Sequence, residues 1–174
     1  MLCRVEMVNS EQRYGRFYRW RMLHLQGGLK GTIIILAVLV VLAAAMLLNS
    51  GANPLFLLLI VAAALAYFVY QLYIKPNSLF RKRPGAAMET EVYIFTENGF
   101  TLNVKNEESG SNDHSSSQYS VLTSAVETSG DFILFTSPTQ GYMIEKTAFT
   151  NGSPDELRTV LKEKMGKKFK TKQK

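Results

Sequence analysis

A chain of 174 residues with a single cysteine fits one modest domain. It excludes an intrachain disulfide and leaves a thiolate metal cage nothing to build on. The net charge of +6 would suit a nucleic-acid binder, but its distribution argues against that reading. No Asp, Glu, Lys or Arg occurs between Gly31 and Ile74, and residues 89–156 hold eleven acids against only Lys105 and Lys146. The basic excess lies in residues 1–30, 75–88 and 157–174, so the chain reads as basic flanks around an acidic domain.

At the N-terminus, Leu2–Val8 alternates weakly in polarity and predicts a short strand. Whether that strand joins a later sheet stays open. Asn9 or Ser10 is a reasonable N-cap for a helix over residues 11–25. Tyr14, Phe17, Tyr18, Met22 and Leu25 fall on one face of that helix, with Arg13, Arg16 and Arg19 toward its flanks. This pattern predicts a helix lying on the inner leaflet, and a helix docked on the later domain fits it equally well. Gly27 and Gly28 let the chain turn.

Residues 31–48 and 54–74 are then apolar on all sides, and residues 49–53 form a short uncharged turn between them. Crossing a hydrocarbon core of ~30 Å takes roughly 20 apolar residues, so the expectation is a two-helix transmembrane hairpin over 31–74. A soluble protein of this size could not wrap two such helices. Cations before the first span and after the second place both termini in the cytosol. The candidate membrane-surface contacts are Arg13, Arg16, Arg19, Trp20, Arg21, Lys75, Arg81, Lys82 and Arg83. Ala62 and Ala66 form a small-xxx-small pair that serves either packing of the hairpin on itself or a homo-oligomer. Neither span carries an ionisable residue, so a proton relay or ion path has nothing to work with.

After a basic linker over 75–88 the periodicity becomes strand-like. Glu91–Thr96 and Phe100–Val104 flank Glu97-Asn98-Gly99, a strong hairpin signal. Residues 106–117 read as a long exposed loop. Strand-like runs resume at 117–122 and 125–128, and Asp131–Ser137 with Gly141–Lys146 form a second hairpin through Pro138-Thr139-Gln140. Ser153 and Glu156 make a capping box with Pro154 in the first turn, and Leu157, Val160, Leu161 and Met165 form the apolar stripe of a final helix. Residues 89–166 are thus expected to be an α+β domain, a curved antiparallel sheet or small barrel capped by a helix. Residues 167–174 follow as a basic tail.

The order of these segments, with Phe95-Thr96-Glu97-Asn98-Gly99-Phe100, Ser120-Val121-Leu122, Ile144 to Phe149 and the final helix, resembles the YcxB-like family of small bacterial membrane proteins. The resemblance implies a C-terminal domain like a pleckstrin-homology barrel. It carries over no catalytic residue.

Glu107, Glu108, Asp113 and His114 match no calcium or zinc spacing, and Ser115 to Ser117 beside His114 lack the third group of a nucleophile pair. No catalytic, cofactor or metal residue is expected. The tail lysines Lys167, Lys168, Lys170, Lys172 and Lys174 are candidate contacts for anionic lipid. The leading expectation is a non-catalytic, membrane-anchored module that binds a protein partner. The alternatives are an immunity protein against a bacterial toxin and an anionic-lipid-binding protein.

Overall fold

The computed structural model describes residues 1–24, 28–50, 54–83, 85–106, 108–138 and 140–171. The chain divides into two compact units, residues 1–13 with 83–174, and residues 14–82.

In the first unit, β1 (Cys3–Val8), β2 (Glu89–Phe95), β3 (Gly99–Asn106), β4 (Asn112–Gln118) and β8 (Phe149–Asn151) form a five-stranded sheet in the order β4-β3-β2-β1-β8. The second sheet is β7 (Gly141–Glu145), β6 (Asp131–Phe135), β5 (Ser124–Glu127) and β9 (Phe169–Thr171), in that order. All pairings are antiparallel except β5 with β9. The inward row Cys3, Val5, Tyr93, Phe95, Phe100 and Leu102 meets Phe132, Leu134 and Ile144 from the second sheet in one core. The last helix, α5 (Pro154–Met165), closes that core with the four expected residues, Leu157, Val160, Leu161 and Met165. This mixed α+β arrangement of curved antiparallel sheets is consistent with a pleckstrin-homology-like domain.

The β1 strand sits inside the larger sheet, pairing Val5 with Tyr93 on one side and Phe149 on the other. Its alternation is strict because one face lies in the core: Cys3, Val5 and Met7 are buried while Arg4, Glu6 and Val8 are not. The first thirteen residues therefore belong to the sheet domain and not to a separate N-terminal segment.

Both expected hairpins form, with Phe95 opposite Phe100 and Phe135 opposite Gly141. Gly99 serves the first one differently from the expected turn role. Neither Asn98 nor Gly99 has a positive φ, and the Thr96 amide donates to the Gly99 carbonyl at 2.9 Å. A Cβ at Gly99 would collide with the Ser117 carbonyl of β4, so the glycine admits the neighbouring strand.

Four expectations need correcting. Residues 112–118 are a strand, not loop: an edge strand with six of its seven side chains exposed shows no alternation to read. The strand expected over 117–122 ends at Gln118, and Tyr119–Val121 is a 3-10 turn whose Tyr119 donates from its hydroxyl to the Thr96 carbonyl at 2.9 Å. The linker 75–88 is helical through Arg81, because apolar Leu79 and buried Phe80 extend the pattern. The tail is structured through Thr171, since Phe169 is buried and draws β9 alongside β5.

The second unit is helical. It holds α1 from Tyr14 on (the helix runs Glu11–His24), α2 (Gly28–Ser50), α3 (Pro54–Val69), a π-helical segment (Tyr70–Ile74) and α4 (Lys75–Arg81). The Lys75 amide reaches back to the Tyr70 carbonyl, and Pro76 has no amide with which to resume the α ladder at once. Among the described residues, Leu58–Arg81 is the one helical stretch long and apolar enough to cross a membrane, and Ile33–Leu42 within α2 is a shorter apolar stretch. Ala62 and Ala66 are exposed, so this small-residue pair is not a packed seam within the unit. Residues 51–53 of the expected turn, Leu25 of the expected apolar face and Gly27 lie outside the described residues.

Candidate functional site

One first-unit surface with uncommitted chemistry is the β4 edge of the larger sheet. Among the described residues β3 is the sole sheet neighbour of β4, which leaves the other side of its backbone unpaired there. Three exposed carboxylates lie on β4 or in the turns at the two ends of β3. Glu97 is in the β2–β3 turn, Glu108 in the β3–β4 turn and Asp113 on β4 itself. None of the three has an ion-pair partner among the described residues. His114 meets Asn103 at 2.5 Å and therefore helps join β4 to β3. No group of three His, Cys, Asp or Glu side chains able to hold a metal ion occurs among the described residues. Glu107 lies outside them.

Carboxylates elsewhere in this unit are committed. Glu127 is fully buried, and its oxygens accept from Arg158 at 2.6–2.8 Å and from Lys146 at 2.8 Å. Arg158 also pairs with Asp155. The Arg158 hydrogen bonds, helped by Lys146, outweigh burial and hold the Glu127 carboxyl at about 2. Sequence reading missed this cluster, because a glutamate after Ala125-Val126 looks like a strand end at the surface. One signal was present: Lys146 is one of only two cations in the acidic block, and Glu127 takes it.

A second internal network lies at the start of the domain. Arg13 is buried, pairs with Glu91 at 2.5 Å and donates to the Val8 carbonyl. The Glu91 carboxylate accepts from the Tyr93 hydroxyl at 2.9 Å, and burial together with that carboxylate pushes the phenol well above its ordinary range. This corrects the placement of Arg13 at the lipid surface: its guanidinium is spent inside the sheet domain. Burial likewise pushes the Cys3 thiol up to about 12, so the lone cysteine stays protonated and unreactive at neutral pH.

The other expected surface residues are spread over both units. Arg16 is exposed, Arg19 sits 5.4 Å from the Tyr73 ring centroid and Arg21 sits 5.2 Å from that of Tyr18. Trp20 stacks on His24 at 4.7 Å. Tyr14 meets Phe80 at 5.8 Å, so part of the apolar face of α1 packs on α4. Lys75 is half-buried, Arg81 and Lys82 are exposed, and Arg83 pairs with Glu89 at 3.4 Å. Lys167, Lys168 and Lys170 are exposed around β9, and Lys168 donates to the Leu122 carbonyl. Lys172 and Lys174 lie outside the described residues.

Residues 95–161 match the family model described as YcxB-like protein. This central stretch of the sheet domain is similar to the YcxB-like family. The match runs from the end of β2 into α5, so it holds the β4 edge and the whole Glu127–Lys146–Arg158 cluster. Strands β1 and β9 lie outside it, although β1 sits in the middle of the larger sheet. Comparison with curated proteins and with solved structures gave no match.

Proposed function

We propose that this protein is a non-catalytic, membrane-anchored binding module. Its two apolar helices form a hairpin in a bacterial inner membrane with both termini in the cytosol. Its YcxB-like domain takes an extended, cationic segment of a protein partner along β4. The anchor reading is supported by exposed apolar residues that water would penalise, among them Ile34, Ile35, Val41 and Leu58 at 62–66% exposure. Cations at Arg16 and Arg19 before the uncharged run over residues 31–74, and at Lys75 and Arg81 after it, support the cytosolic placement of the termini.

The observation that carries the binding reading is the unpaired edge of β4, with exposed Asp113 on the strand and Glu97 and Glu108 in the turns at either end of β3. An added strand gains backbone hydrogen bonds there, and its Lys or Arg side chains gain three open carboxylates. The test is quantitative co-purification of the full chain in mild detergent, wild type against Glu97→Lys/Glu108→Lys/Asp113→Lys. The expected outcome is a partner held by the wild type and lost from the triple variant, which keeps its fold by circular dichroism. Equal recovery on both chains would sink this reading. A secreted toxin as that partner, with rescue of toxin-exposed cells on co-expression, would make the role that of an immunity protein.

A further inference from the structure

The helical unit contains a cleft of about 580 Å³. One wall is a single stripe along α3, the π segment and α4, made by Ile60, Ala63, Ala64, Tyr67, Gln71 and Lys75. Ile35, Leu36 and Leu39 of α2 and Tyr18 and Met22 of α1 complete the lining. The alanines set its width, since a larger side chain at either position would occupy it. From Ile60 to Lys75 the helix climbs about 22 Å, enough for the ~15 Å of hydrocarbon in one leaflet plus a headgroup.

The cleft is apolar along most of this length and polar at one end. There Gln71 donates to the Tyr67 hydroxyl at 2.5 Å, while its Oε1 is buried with no hydrogen-bond partner. A buried acceptor left unpaired calls for a missing donor. Gln71 belongs to the π-helical segment, a geometry that recurs at functional sites. One turn further, Lys75 lines the same end and has no ion-pair partner among the described residues. An acyl-chain-sized apolar slot that ends in an ammonium and an orphan carbonyl specifies its occupant.

We propose that this cleft holds one anionic glycerophospholipid with a hydroxyl-bearing headgroup, of the phosphatidylglycerol type. An acyl chain lies along α3, the phosphate meets Lys75, and a headgroup hydroxyl bonds Gln71. A hydroxyl both donates and accepts, so it satisfies Gln71 whichever amide atom faces it. Phosphatidylcholine offers no donor, and the ammonium of phosphatidylethanolamine would meet Lys75 with like charge. The inference rests on the membrane reading of Leu58–Arg81.

The test uses the full chain, delipidated in mild detergent and then exposed to mixed micelles of phosphatidylglycerol and phosphatidylcholine with identical acyl chains. Native mass spectrometry counts the lipids retained. The wild type is expected to retain one phosphatidylglycerol with at least a tenfold preference over phosphatidylcholine. Lys75→Gln and Gln71→Leu are each expected to cut that preference to threefold or less, and Ala64→Phe to abolish retention of both lipids. Undiminished retention in Ala64→Phe, or an unchanged preference in both headgroup variants, would overturn the inference. The headgroup variants decide the matter even where Ala64→Phe fails to fold. A chain that resists alkaline extraction yet shows no preference contradicts this inference alone. A chain released by alkali contradicts the membrane reading on which it rests.

Discussion

The two units use the same amino-acid chemistry in opposite ways. In the sheet domain, aromatic and aliphatic residues such as Phe95, Phe132 and Leu161 are almost wholly buried, and Glu127 is buried among its cationic partners. In the helical unit, large apolar residues such as Ile34 and Leu58 stand exposed, and charge is confined to the ends of the apolar stretches. The difference is what the proposed membrane reading requires, with water around the sheet domain and lipid around the helices. One hides hydrocarbon from water and compensates every ion it buries. The other satisfies its backbone internally and leaves hydrocarbon outside.

The comparison is broken most sharply by equal truncations in the two units. Phe132→Ala should destabilise the sheet domain by about 3–5 kcal/mol, because a close-packed core collapses only partly around a cavity. Leu58→Ala, which removes a residue 65% exposed, should cost about 0.5 kcal/mol or less. Denaturant titration of the full chain in detergent micelles, followed by near-ultraviolet circular dichroism, measures both. A Leu58→Ala loss as large as that of Phe132→Ala would mean that the helices pack like a soluble core.

The next largest effect concerns the buried ion cluster. Arg158→Ala strips Glu127 of its main partner and should cost about 3 kcal/mol, the low end for a broken buried pair because Lys146 remains. The same cluster sets a pH dependence. The folded Glu127 carboxyl at about 2 lies below its ordinary 4.5, so its contribution is fully present above about pH 4.5. It is lost as pH falls from there toward about 2. Melting temperatures between pH 6 and pH 2 should drop in that window, and less so in Arg158→Ala. A smaller effect is expected at the helix cap. Ser153 accepts from the Glu156 amide at 3.3 Å and Glu156 accepts from the Ser153 amide at 3.1 Å, so Ser153→Ala should cost about 1 kcal/mol.

What the sequence made legible follows the same division between buried and exposed apolar surface. The strands β2, β3, β6 and β7 and the α5 stripe were readable because one side or both lie in the core and local signals mark their ends. The apolar helices were readable because residues 31–74 carry no Asp, Glu, Lys or Arg over a run long enough for two helices. Strand β4 was not readable, since water on both of its faces removes the alternation. Strand β9 was hidden because one buried phenylalanine, Phe169, sits in a lysine-rich run. The Asn98-Gly99 pair located the first hairpin correctly while misassigning its cause, which is the approach of β4 at Gly99. The pairing of Glu127 with Lys146 and Arg158 depends on contacts between distant residues, and no local pattern encodes it.

Alkaline carbonate extraction of membranes containing the full chain tests the central claim most directly. Carbonate strips proteins held by surface charge and leaves those embedded in hydrocarbon. The account predicts that the chain stays in the membrane pellet at all salt concentrations, and also when Arg16, Arg19, Lys75 and Arg81 are replaced by glutamine. Release into the supernatant would contradict it, because the exposed apolar helices would then need a protein partner and not lipid to cover them.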